Sequence, residues 1–145
     1  MKQVLLSVFF GLFTISAAAD EVTPDLAETV IIDGTTVDLN EFVWKNRPLI
    51  VFADSPNDPR YIQQLAFLND QIEELHTRDV IVLTDADPAA NSALREQLRP
   101  RGFMIVLLAK DGTIYLRKPS PWDVREISRV IDKLPLRQQE MRDRR

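Results

Sequence analysis

The chain contains no cysteine. That absence removes thiolate catalysis, disulfides, thiolate metal sites and a lipid-modified N-terminal cysteine together. Histidine is nearly absent too: His76 stands alone, with no second imidazole to share a metal, and it reads as a solvent-facing helix-end residue. Positive charge is not in excess. A formal net charge of -4 argues against a general nucleic-acid surface. No internal repeat or low-complexity segment is evident, and no apolar run reaches the roughly 20 residues that a spanning helix needs.

What is present suits one α/β domain. The 145 residues are 45% hydrophobic, enough for a real core in a chain of single-domain length. Met1-Lys2, the twelve-residue apolar run Val4 to Ile15, and Ala17-Ala18-Ala19 have the order of a cleavable export signal. Residues 1–19 are therefore expected to be a signal peptide, which predicts a periplasmic or secreted protein beginning at Asp20 with no stable membrane anchor. Residues 20–28 are polar and read as a flexible lead-in. The domain proper is expected over 29–135, followed by an Arg-rich C-terminal tail over 136–145, with four arginines against Glu140 and Asp143.

The strongest signal is Arg47 to Arg60. Leu49-Ile50-Val51-Phe52-Ala53 is too short for a helix and apolar on both faces, the pattern of a central strand. Asp54-Ser55-Pro56-Asn57 then forms a turn, Asp58 caps a helix, and Pro59 suits its first position. Ile62, Leu65, Leu68, Ile72 and Leu75 give that helix one apolar face, ending at His76. Val80 to Leu83 repeats the buried strand, and Thr84 to Pro88 repeats the Asp-Pro turn into a weaker helix over about Pro88 to Leu98. Parallel strands of such a βαβ unit put both Asp-rich turns on one carboxyl edge.

The flanks complete the order. Val30 to Leu39, with Asp33-Gly34 between β-branched runs, predicts an N-terminal β-hairpin, over which Trp44 is expected to pack. Phe103 to Ala109 and Thr113 to Arg117 predict a second hairpin across Lys110-Asp111-Gly112. A last helix is expected from a Ser120 cap, with Asp123 in a capping box, to Pro135.

This order resembles a thioredoxin-like fold: a central mixed β-sheet flanked by helices, here with the N-terminal β-hairpin. Asp33 to Leu39 and Arg47 to Ala53 look like the entry of periplasmic thiol-disulfide proteins and peroxiredoxins. The chain also resembles a bacterial family of uncharacterised exported domains, the domain of unknown function 4174 family. The matching stretches are Asn46 to Phe52, Asp58-Pro59-Arg60, Lys110-Asp111-Gly112 and Leu134 to Met141. The resemblance to thioredoxins places their Cys-x-x-Cys at Asn57-Asp58-Pro59-Arg60, where no thiolate can form, so thiol-disulfide exchange and thiol peroxidase chemistry are excluded. It places their cis-proline near Met104.

The expected site is that carboxyl edge: Asp54, Ser55, Asn57, Arg60, Asp85 and Met104 as a binding surface, with no catalytic residue assigned. Asp58 and Asp87 read as caps, which leaves Asp54 and Asp85 too few to hold a metal, so no cofactor or metal is expected. Ser55 lies about 22 Å by helix rise from the only histidine, which disfavours a nucleophilic hydrolase. The expected partner is a protein or a small anionic ligand at the first helix start, where free amides favour negative charge and Arg60 is unfavourable for the helix. An enzyme using Asp, Asn or Arg groups at the same edge is the alternative.

Overall fold

A computed structural model describes residues 31–145. The signal-peptide and lead-in expectations for residues 1–28 lie outside the described residues. The described chain forms a five-stranded mixed sheet in the order β1-β3-β2-β4-β5. Strands β1 (Ile31–Asp33), β2 (Arg47–Phe52) and β3 (Val80–Asp85) are mutually parallel. Strands β4 (Met104–Leu108) and β5 (Ile114–Lys118) continue the sheet antiparallel to their neighbours.

The central strand is β2, as its apolar run implies. Every residue of it is buried, and its alternate side chains feed two core layers. Leu49 and Val51 join Leu68, Leu75, Ile105 and Ile127 on one face; Ile50 and Phe52 join Leu83, Leu94, Leu98 and Val106 on the other. Helices α1 (Pro59–Asp70), α2 (Ile72–His76) and α4 (Val124–Asp132) supply the first layer, and α3 (Ala93–Leu98) the second.

The N-terminal hairpin does not form. Among the described residues β1 pairs only with β3, Ile31 opposite Val82, and residues 34–38 form no strand. Asp33-Gly34 has another physical cause. The Gly34 N–H extends the ladder to Thr84 O at 2.8 Å, and a Cβ at Gly34 would lie 2.7 Å from Leu94 Cδ1. The glycine is there for close packing. Leu39–Phe42 then makes a short 3-10 turn capped by Asp38. Trp44, left without a hairpin to cover, is 68% exposed.

Helix boundaries shift where polar residues compete with the apolar stripe. Gln71 (φ -130°, ψ 40°) divides the first helix into α1 and α2, and Ile62, expected on the apolar face, is 55% exposed. Gln64 is buried in its place, its amide bonded in both directions to the Trp122 backbone at 2.9 and 2.8 Å. Asn91 adopts the left-handed conformation that asparagine tolerates, so Pro88–Ala90 is only a 3-10 turn and Ser92 caps α3. Asp123, not Ser120, caps α4, accepting from the Glu126 N–H at 2.8 Å. The largest departure is the tail. Pro135 does not end the fold; it occupies the first turn of α5 (Pro135–Asp143), where its missing N–H costs nothing. Arg137 in that helix is 7% exposed.

Candidate functional site

Parallel strands bring the ends of β1, β2 and β3 to one edge, and a groove of about 610 Å³ opens there. Asp33, Asp54, Ser55, Tyr61, Thr84 and Asp87 are among its lining residues, none of which is basic. Of the residues the sequence points to, Asp54 and Asn57 are exposed and Ser55 is half-buried. Met104 starts β4 opposite Phe52, and Asp54 Oδ2 approaches Gly102, so the turn after β2 and the residues before β4 do become neighbours. Arg60 completes that link, its guanidinium 5.5 Å from the centre of the Phe103 ring. No peptide bond among the described residues is cis.

Most polar groups at this edge serve local structure. Asp58 accepts from the Arg60 backbone N–H at 2.9 Å and from the Arg60 guanidinium at 3.0 Å. These bonds, the side-chain one foremost, hold the half-buried Asp58 carboxyl below its usual range. Arg60 is thereby taken by Asp58 and is not left facing a partner. Asp87 caps its turn through the Ala89 N–H at 3.2 Å. Asp33 accepts from the Thr35 N–H and hydroxyl, which lower its pKa. Asn57 donates its N–H to Ser55 Oγ at 3.1 Å.

Asp85 corrects the expectation of a free carboxylate. It is 1% exposed and carries a clamp that joins β2, β3 and α3. Ser92 donates its hydroxyl to Asp85, Arg95 Nε donates to Asp85 Oδ1 at 3.0 Å, and Arg95 Nη2 donates to Ala53 O at 2.8 Å. The same guanidinium lies 5.4 Å from the centre of the Phe52 ring. A buried carboxylate paired so completely is an organiser of the edge, not a contact surface. Among the described residues no group of three or more histidine or carboxylate side chains is placed to hold a metal ion.

A second polar centre, absent from the sequence expectations, lies at the other end of the sheet. Arg47, 1% exposed, donates to Arg78 O at 2.8 Å and to Glu140 Oε1 at 3.0 Å. Lys110 bridges Glu140 at 2.8 Å and Asp79 at 2.9 Å, and Arg137 reaches Glu140 and Asp132. Burial alone would raise the Glu140 pKa, but hydrogen bonds from Lys110 and Arg47 bring it down to about 2. A signal for this centre was available: Arg47, Lys110 and Glu140 belong to three of the four stretches that carry the family resemblance.

Comparison with known proteins agrees with that resemblance. Residues 38–140 match the family described as Domain of unknown function (DUF4174). The chain belongs to this family; its own fold is thioredoxin-like, and with no cysteine it has no Cys-x-x-Cys motif. A curated relative, "Coiled-coil domain-containing protein 80" of Danio rerio, is 29% identical over 133 residues. That match covers 71% of this chain but only 15% of the relative's length. Among solved structures, the reduced 2-Cys peroxiredoxin of Plasmodium vivax aligns with a TM-score of 0.56 at 16% identity, over 72% of this chain and 85% of that one. An uncharacterised thioredoxin-like protein from Clostridium perfringens gives 0.56 at 13% identity, over 83% and 92%. At such identities the likeness is one of fold alone. No helix among the described residues is long and apolar enough to cross a membrane.

Proposed function

We propose that this domain is an exported, non-catalytic binding module that engages a protein partner across the carboxyl edge of its sheet. The observation that carries the reading is the groove itself, lined by Asp33, Asp54 and Asp87 and by no basic side chain. Such a lining suits lysine or arginine side chains of a partner and repels an anionic ligand, so the anionic alternative loses its support. Catalysis would require a nucleophile or a general base with unspent hydrogen bonds within reach of a substrate. At this edge Asp58, Asp85 and Asp87 are spent on caps and on the Arg95 clamp. Export to the periplasm or beyond is supported by the signal pattern of residues 1–19.

Two measurements test this. Intact mass of the exported protein is expected to correspond to a start at Asp20, within a residue; retention of Met1 would sink the export half. Capture of partner from periplasmic extract is expected to weaken at least tenfold for Asp54→Asn combined with Asn57→Ala, and to fall with added salt. Undiminished capture by that double variant would remove the edge from the function.

A further inference from the structure

Beneath Trp44, at the end of the sheet remote from the acidic groove, lies a pocket of about 300 Å³. Its apolar wall includes Trp44, Tyr115, Pro135 and Leu136, and its basic lining residues are Arg47 and Lys110. Five large apolar side chains are well exposed among the described residues, and three of them, Trp44, Tyr115 and Leu136, are on this one pocket. Apolar exposure gathered in one place marks an interaction site where the same residues scattered would not. Trp44 is also held at φ 65°, a conformation that bulky side chains rarely adopt, and its N–H is tied to Lys110 O at 2.7 Å. The fold thus ties the Trp44 backbone to that of Lys110 and leaves the indole exposed on the pocket they share.

The polar side of the pocket has donors to spare. Arg and Lys carry only donors. Arg47 Nε is buried with no acceptor among the described residues. Lys110 has acceptors for two of its three protons, in Asp79 and Glu140. Glu140 is shared among Lys110, Arg47 and Arg137. Over the whole network Arg47, Arg78, Lys110, Arg137 and Arg144 face Glu74, Asp79, Asp132 and Glu140, and with Asp111 on the pocket's lining the positive and negative charges balance. Asp111, the acidic lining residue, already accepts from the Thr113 N–H at 2.9 Å.

We propose that this pocket binds a small amphipathic carboxylic acid, its aromatic or branched apolar body between Trp44, Tyr115 and Leu136 and its carboxylate at Lys110 and Arg47. The volume is that of a compact ligand, at the lower end for small-molecule sites. The unpartnered Arg47 Nε and the free Lys110 proton complement a carboxylate, which accepts from both, whereas an ammonium group would bring them only further donors. This site is separate from the acidic groove, and neither reading depends on the other.

Amide chemical shifts of the full chain, followed during titration, discriminate the possibilities. The probes are indole-3-propionate, its primary amide and tryptamine, which share a body and differ in charge. The acid is expected to shift Trp44 and Lys110 saturably and to bind at least tenfold more tightly than the amide, with tryptamine silent. Trp44→Ala and Tyr115→Ala should each weaken the acid about tenfold while keeping the dispersed spectrum of a folded chain, and Arg60→Ala should leave it unchanged. Equal binding of acid and amide, or no saturable shift at millimolar acid, would overturn the proposal. So would Trp44 shifts that depend on protein concentration without ligand, which would give the pocket to a second copy of the chain.

Discussion

At the carboxyl end of the sheet Asp33, Asp58 and Asp87 each accept from an N–H two residues further along. At the amino end of β2, Arg47 reaches Glu140 across 93 positions and Arg78 reaches Asp132 across 54. The first kind of contact forms inside a turn and leaves a surface open. The second ties α5 to the start of β2 and α4 to the turn after α2, so the last two helices are held into the domain. An edge stabilised locally can change its surface side chains without loosening the fold, whereas an end held by shared ion pairs cannot.

The strand that joins the two ends should be the most sensitive point. Phe52→Ala is expected to destabilise by about 3 to 5 kcal/mol, because Phe52 is fully buried and also carries the Arg95 guanidinium above its ring. Chemical denaturation measures this, and a loss under about 1 kcal/mol would contradict the core position.

Glu140→Ala should follow, at about 3 kcal/mol, since it strands the buried Arg47 and removes an acceptor from Lys110. The pH dependence sharpens the point. The Glu140 carboxyl titrates at about 2 in the fold against a usual value near 4.5. Its depressed pKa means that its contribution is complete above the unfolded value and is lost as pH falls from about 4.5 toward 2. Glu140→Gln should flatten that acid limb in melting curves taken between those pH values. A wild-type acid limb retained in full by the variant would assign it to other carboxylates.

Local signals explain what could be read in advance. The run Leu49 to Ala53, the Asp58-Pro59 start and the Asp87-Pro88 turn all depend on neighbours within a few residues, and all occur where they were expected. Asp33-Gly34 misled because a glycine required for packing against Leu94 has the same sequence as a glycine required for a turn. Leu134 to Arg145 misled because Arg137 and Glu140 look like solvated charge until Arg47, Lys110 and Asp132 are brought to them. Asp85 reads as an open-edge carboxylate because its partners lie past a break at Asn91, Ser92 directly after it and Arg95 one turn further on. Of the expected binding residues, Asp54 approaches Gly102 and Arg60 the Phe103 ring, both next to Met104, while Asp85 is buried.

Asp87→Ala tests the local end more gently. Loss of its bond to the Ala89 N–H should cost about 1 kcal/mol, the ordinary value of a cap. The variant should keep its acid limb, since Glu140 is untouched. A cost above about 3 kcal/mol would mean that the carboxyl edge is as cooperative as the amino end, and the contrast between them would fail.

The smallest effect belongs to Arg60. Its guanidinium is 52% exposed, its ion pair with Asp58 is formed within one turn, and its contact with the Phe103 ring is at 5.5 Å. Exposed pairs of this kind are worth about 0 to 1 kcal/mol, because solvent screens the charges and two long side chains must be ordered. Asp58 would retain its bond from the residue-60 N–H, so the cap survives the substitution. Arg60→Ala should therefore change stability by less than about 0.5 kcal/mol. It would also uncover the Asp58 carboxylate and make the edge more acidic. On the reading of that edge as a surface for basic side chains, partner capture should strengthen, most visibly at low salt, where screening is weakest. Weakened capture with unchanged stability would show that Arg60 itself touches the partner, and would replace charge attraction to the aspartates with a direct arginine contact.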